Sequence, residues 1–186
     1  MPDVYEACPT YENERFLLRF VEHKDCADLL KVYSDENAVP LFNSDNCHGD
    51  DFHYTTAQRM RQAIDFWIFS YENRYFVRWS VVDKSNDTVI GTIELFNRIA
   101  EDHFNNCGLL RLDLRSDHEY QQDITDILCL ILPHTADMFG CVSIATKAVP
   151  MASERIAALR TLGFSLSEYT LKGNDGTEYG NYYIRY

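Results

Sequence analysis

The sequence predicts a mixed α/β domain, and three observations carry that prediction. Apolar residues recur with period two in some segments and period 3.6 in others, and the two kinds alternate along the chain. No Pro/Gly/Ser-rich linker, internal repeat or low-complexity stretch separates them. The 186 residues, 46% of them hydrophobic, suffice for one sizeable core and are few for two, so one domain over residues 1–186 is expected. The order read from the chain is βααβββαβαββ.

Phe16 to Phe20 is a short apolar run after polar residues, hence a strand. His23 to Tyr33 places Cys26, Leu29, Leu30 and Tyr33 at helical spacing behind the polar start Lys24-Asp25. Pro40 to His53 is polar and contains Gly49, which predicts a mobile surface loop. The next helix takes Thr55 as its N-cap and aligns Met60, Ile64, Trp67, Ile68 and Tyr71 in one apolar stripe, so Trp67 reads as core and carries no binding role.

Tyr75 to Asp83 and Thr88 to Phe96 form a hairpin of largely buried strands around Lys84-Ser85-Asn86-Asp87. A polar connection, Asn97 to Asn106, leads to Leu109 to Arg115. There Leu110, Leu112 and Leu114 alternate with Arg111, Asp113 and Arg115, the pattern of a strand with one apolar face. A helical run from Gln122 to Phe139 is kinked or shortened by Pro133 and stopped by Gly140. Cys141 to Thr146 is a strand, Ala152 to Leu162 a helix closed by Gly163, and Phe164 to Leu171 with Tyr179 to Tyr186 a last hairpin.

Composition excludes whole classes of function. Lys plus Arg number 17 against 29 Asp plus Glu, a formal net charge of −12, which opposes general affinity for nucleic acid phosphates. No run approaches the ~20 apolar residues of a membrane helix, and Met1 to Glu6 lacks the basic and apolar parts of a secretory signal. A soluble, cytoplasmic protein that touches neither membrane nor nucleic acid is expected. Six cysteines scattered singly read as reduced thiols. Cys47, His48 and His53 have the only metal-like spacing and lack a fourth ligand, so no metal is expected.

Several motifs resemble one family in order and spacing. Glu14-Arg15-Phe16-Leu17-Leu18-Arg19 followed by Lys24-Asp25 is similar to the opening ERLxLRxxxxxD, Val89 to Ile93 to the strand vIGxi, and Leu159 to Phe164 to the ending LEKLGF. These belong to the GNAT superfamily of acetyl-CoA-dependent N-acetyltransferases, in its RimJ/RimL branch. The resemblance implies a GNAT fold, with a mostly antiparallel central sheet of about seven strands flanked by helices. It implies direct transfer of an acetyl group from acetyl-CoA to a primary amine, on a protein N-terminus or a small molecule, by a protein that could be a homodimer. It assigns the cofactor to Leu114 and Arg115, to Gln121, Gln122, Asp123, Ile124 and Thr125, and to Ala152 and Arg155.

The departures from the family pattern matter as much. The loop R/Q-x-x-G-x-G/A, whose backbone N–H groups hold the CoA pyrophosphate, falls on Glu119 to Ile124. Gln122 and Ile124 replace the small residues, and Glu119 and Asp123 bring negative charge toward a polyanion. The family's N-x-x-S falls on Ala152 and Arg155. Weak acetyl-CoA binding is therefore expected, with Lys147 and Arg155 reading as solvated surface charges.

Glu94 is the first candidate base, because burial at the end of an apolar strand would raise its pKa toward working pH; the alternative is a hydrated carboxylate. Asp113 ranks second and is expected to pair with Arg111 or Arg115 on its own strand face. Tyr120 is the candidate proton donor. No Ser/His/Asp or Cys/His nucleophile set is visible. The enzyme is the first reading. The other is a GNAT-fold module that has lost catalysis and binds partners through Tyr5, Tyr11, Tyr169, Tyr179, Tyr182, Tyr183 and Tyr186 near the chain ends.

Overall fold

A computed structural model describes residues 3–186. The strands are β1 (Tyr11–Glu12), β2 (Phe16–Phe20), β3 (Val77–Asp83), β4 (Thr88–Arg98), β5 (Cys107–Leu114), β6 (Ser143–Lys147), β7 (Ser165–Leu166), β8 (Leu171–Lys172), β9 (Glu178–Tyr179) and β10 (Tyr182–Arg185). The helices are α1 (Cys26–Tyr33), α2 (Ala57–Glu72), α3 (Gln121–Ile131), α4 (Thr135–Phe139) and α5 (Ser153–Thr161). The main sheet has eight strands in the order β1-β2-β3-β4-β5-β6-β10-β7, antiparallel throughout except between β5 and β6.

This is the mixed, mostly antiparallel sheet expected, with one more strand than the sequence suggested. The extra strand is the two-residue edge β1, too short to leave a periodic signal. The last hairpin is split: β10 pairs with β7, while β8 and β9 make a separate two-stranded ladder. Thr56, not Thr55, caps α2, its hydroxyl accepting from the Arg59 N–H at 3.2 Å. Pro133 lies in a 3₁₀ turn, Leu132–His134, that separates α3 from α4, and Gly140 ends α4 in the left-handed region at φ 63°.

Alternation along the strands assigns the two faces of the sheet. One face of β3, β4 and β5 carries Trp79, Val81, Ile93, Leu95, Leu110 and Leu112, which pack with Ile124, Ile127, Ile131 and Leu159 from α3 and α5. The opposite face lies under α1 and α2, where Leu29, Tyr33, Met60, Ile64 and Trp67 make a second core. On that face β3 to β5 present Arg78, Ser80, Thr92, Glu94, Arg111 and Asp113, every one buried. Gly91 lets β4 and β5 approach, since a Cβ there would lie 2.2 Å from the Asp113 carbonyl oxygen.

The segment from Pro40 to His53 is not the surface loop expected. Phe42, Asn43, Asp45 and Phe52 are buried, and Asn46, His48 and Phe52 adopt positive φ of 57°, 55° and 60°. Such a backbone persists only where its surroundings hold it. Here Asp45 is held by Lys147 at 2.6 and 2.7 Å, and its carbonyl accepts from Arg111 at 2.9 Å. Lys147 is thus not a solvated surface charge. Among the terminal tyrosines, Tyr182 and Tyr183 are buried, which removes them from any contact surface.

Asp25 ties the entry of α1 to the sheet. Its carboxylate accepts from Arg19 at 2.9 and 2.6 Å, from the Ser80 hydroxyl at 2.7 Å and from the Glu22 N–H at 3.0 Å. Burial alone would raise its pKa, but Arg19 and these donors hold it below the ordinary carboxylate range. A carboxyl whose folded pKa lies below its unfolded value of about 3.9 contributes its full stabilisation above that value and loses it as pH falls through the folded one. Asp25→Asn is expected to lower unfolding free energy by about 3 kcal/mol at neutral pH, as breaking a largely buried pair does. Urea titrations from pH 7 downward should show the gap to the parent closing below about pH 4; a gap constant with pH would refute it.

Candidate functional site

The polar face of β3, β4 and β5 converges on one guanidinium. Arg78 lies across from Glu94 in the β3–β4 register, and Glu94 from Arg111 in the β4–β5 register, so the three side chains share a row. Arg78 Nη2 donates to Glu94 Oε2 and Arg111 Nη1 to Glu94 Oε1. Arg78 Nη1 lies 3.2 Å from Asp113 Oδ2, 2.9 Å from the Thr92 hydroxyl and 2.8 Å from the Tyr33 hydroxyl. Tyr33 in turn donates to Asp113 at 2.7 Å. Above this cluster the ring of Trp67 stacks on Arg78 at 4.2 Å.

A cavity of about 410 Å³ opens over the cluster. Phe52 and Tyr54 from the buried loop, Phe66 and Trp67 from α2 and Phe76 before β3 form its walls. Arg78, Glu94 and Arg111 are its floor, and His48, Asp50 and Arg59 stand at its rim. Arg59 donates to Asp50 at 2.5 Å and stacks over Tyr54 at 4.3 Å.

The sheet breaks beside this cavity. β5 and β6 pair from Cys107–Ser143 to Leu110–Thr146 and no further. β5 runs on to Leu114 against β4 alone, while Lys147 of β6 pairs with Tyr182. Arg111, the first β5 residue beyond the break, also lines the cavity. The strand edge freed there is not open. Arg155, only 3% exposed, donates from Nη1 to the Leu112 carbonyl at 2.7 Å and the Leu41 carbonyl at 3.3 Å, and from Nη2 to Glu119. At the start of α3, the Gln121 N–H is taken by Glu154 at 2.9 Å.

Comparison with known proteins supplies the family. A family model described as an acetyltransferase (GNAT) domain matches residues 15–165. The chain belongs to the GNAT acetyltransferase family. No curated protein matches it. Among solved structures it is similar to the ribosomal L7/L12 alpha-N-protein acetyltransferase RimL in complex with coenzyme A, at TM-score 0.71 and 14% identity over 95% of this chain and 97% of that one. It is also similar to the ribosomal-protein-S5-alanine acetyltransferase from Vibrio fischeri, at TM-score 0.69 and 15% identity over 95% and 94% of the two chains. A third is the microcin C7 self-immunity acetyltransferase MccE with acetyl-CoA and AMP, at TM-score 0.68 and 15% identity over 93% of each chain. These likenesses establish the GNAT fold.

The residues of this GNAT domain do not fit acetyl-CoA as they stand. Its α3 N-terminus, where backbone N–H groups and the helix dipole would meet a pyrophosphate, already holds the Glu154 carboxylate. Asp123 in the first turn faces Arg15 at 2.6 Å and His118 at 3.0 Å. Gln122 is exposed and bonds Asp126 at 2.8 Å, Gln121 reaches Thr161 at 3.2 Å, and Thr125 donates to the Gln121 carbonyl at 2.7 Å. Ile124 and Leu114 are fully buried in the α3-side core, so their side chains cannot contact a cofactor, and Ile124 is no obstruction either. Arg115 pairs with Asp117, Ala152 is buried as the cap residue of α5, and Arg155 is an interior side chain rather than a solvated charge.

Of the candidate catalytic residues, Glu94 and Asp113 are joined through Arg78, and Tyr120 is not brought to them. Glu94 is buried, but Arg111 and Arg78 outweigh the burial and hold its pKa below the ordinary range, the reverse of the shift expected. Asp113 pairs with Arg78, not with Arg111 or Arg115, and lies fully buried beneath Tyr33, out of reach of any ligand; burial raises its pKa despite Arg78. Tyr120 is exposed at the start of α3, away from the cavity lining. The residues that sequence reasoning missed are Arg78, Tyr33 and Trp67. A charged residue inside the otherwise apolar run Tyr75 to Asp83 was the available signal for Arg78. Among the described residues no group of three or more His, Cys, Asp or Glu side chains could hold a metal ion.

The ion-pair geometry makes Glu94 structural in the first instance. Glu94→Gln removes the one carboxylate shared by two buried guanidiniums, and unfolding free energy is expected to fall by about 3 kcal/mol or more. Thermal and urea denaturation measure this directly; an unchanged Tm would mean that the two arginines do not depend on it.

Proposed function

We propose that this GNAT-family chain binds a small molecule in the aromatic cavity and that its acetyl-CoA cleft is closed by its own side chains. The observation that carries this reading is Arg155, which with Glu119 occupies the Leu112 strand edge where an extended ligand would add itself to β5. Glu154 supports it independently, because its carboxylate at the α3 N-terminus occupies the Gln121 N–H and repels a diphosphate. The cavity, at about 410 Å³ and walled by five aromatic side chains, has the size and lining of a small-molecule site.

A second reading, acetyl transfer to a primary amine of a small molecule or protein N-terminus, is favoured by the break in the sheet adjoining the cavity at Arg111. Family membership supports the same reading, since related structures carry CoA or acetyl-CoA. Calorimetry separates the two. Acetyl-CoA is expected to bind with a dissociation constant of ~10⁻⁴ M or weaker. Glu154→Gln, at an exposed position, should tighten it several-fold by removing one like charge. A submicromolar constant in the parent protein, with turnover of a peptide or amine above the background hydrolysis of acetyl-CoA, would establish the transferase and overturn the closed cleft.

A further inference from the structure

The cavity has a chemistry of its own, and the inference drawn here rests on the reading of it as a small-molecule site. Its walls offer ring faces and edges from both sides, Phe52 and Tyr54 on the loop against Phe66, Trp67 and Phe76 on and beyond α2, which suits a flat aromatic body. Its charges are matched. Arg59, Arg78 and Arg111 line it with Asp50 and Glu94, and Asp113 beneath the floor pairs with Arg78.

Each lining carboxylate is already committed. Glu94 is spanned by Arg78 and Arg111, and Asp50 accepts from Arg59 at 2.5 Å and from the Tyr54 hydroxyl at 2.9 Å. An ammonium group entering here would bring a further cation to carboxylates that already have partners, and would lose its hydration in doing so. The Cys47 thiol also lines the cavity; burial pushes its pKa up to about 11, so it brings no negative charge.

Arg59 is different from the two floor arginines. Its side chain is 39% exposed at the rim, and among the described residues Asp50 is the only side chain its guanidinium bonds. Its remaining N–H groups can therefore receive a carboxylate in the paired geometry that guanidinium favours. We propose that the cavity binds an aromatic carboxylate, with the ring between the loop and α2 and the carboxylate on Arg59 at the mouth.

A series with one aromatic body and three charges tests this: indole-3-acetate, indole-3-ethanol and tryptamine, each titrated calorimetrically into the parent chain without acetyl-CoA. Indole-3-acetate is expected to bind at least 10-fold more tightly than tryptamine, with indole-3-ethanol between them. Arg59→Gln, at a partly exposed position, should bring the three within about threefold of one another. Phe66→Ala, at an exposed wall residue, should weaken all three. Tryptamine binding as tightly as the acid, or an anion preference that survives Arg59→Gln, would overturn the carboxylate assignment while leaving the cavity as a binding site. No heat from any of the three would overturn both.

Discussion

A single buried guanidinium organises one whole face of this protein. Arg78 is the second residue of β3, 1% exposed, and a charge so placed must be neutralised and hydrogen-bonded within the fold. Glu94 and Asp113 do this from the two next strands, and each then needs its own donors, which Arg111 and Tyr33 supply. The chain of satisfaction runs outward from there. Arg111 captures the Asp45 carbonyl, Asp45 captures Lys147, and a polar loop that would otherwise lie on the surface becomes a wall. The aromatic cavity exists because that wall stands off from α2 across the polar floor.

The same accounting explains the cofactor cleft. Where a parallel pair of strands diverges, one strand keeps carbonyl and N–H groups that pair with nothing in the sheet, and they must find partners elsewhere. In this chain the partners are internal: Arg155 for the Leu112 carbonyl and Glu154 for the Gln121 N–H at the head of α3. Glu119 completes the arrangement by neutralising Arg155. The residues that depart from the family's phosphate-loop pattern are thus not merely losses. Glu119 and Arg155, standing where the family carries other residue types, hold each other and fill the gap.

Much of the fold was legible in the chain, because period and punctuation are local properties. The apolar stripe of α2, the alternation of Leu110, Leu112 and Leu114, the stop at Gly140 and the break at Pro133 each follow from residues within a few positions of one another. The family was legible for a related reason: its motifs lie in short segments whose order the chain preserves. The edge β1 was not legible, since two residues show no period and pair only because a neighbouring strand presents its hydrogen-bonding row.

The site was read less well, and the reason is physical. The sequence by itself determined that Arg111 and Asp113 share a strand face, that Glu94 lies within an apolar run and that the phosphate loop is acidic. It could not determine partners, because an ion pair depends on register between strands. Asp113 meets Arg78, 35 residues away, in preference to the arginines two positions on either side. Nor could it determine the sign of a pKa shift, which for Glu94 turns on whether two guanidiniums outweigh burial. Trp67 read as core because helical spacing reports only which face is apolar; whether that face meets packed side chains or a cavity was decided by the loop that docks opposite it. Only the tertiary structure, by bringing loop, helix and three strands around one buried charge, decided where a ligand could bind.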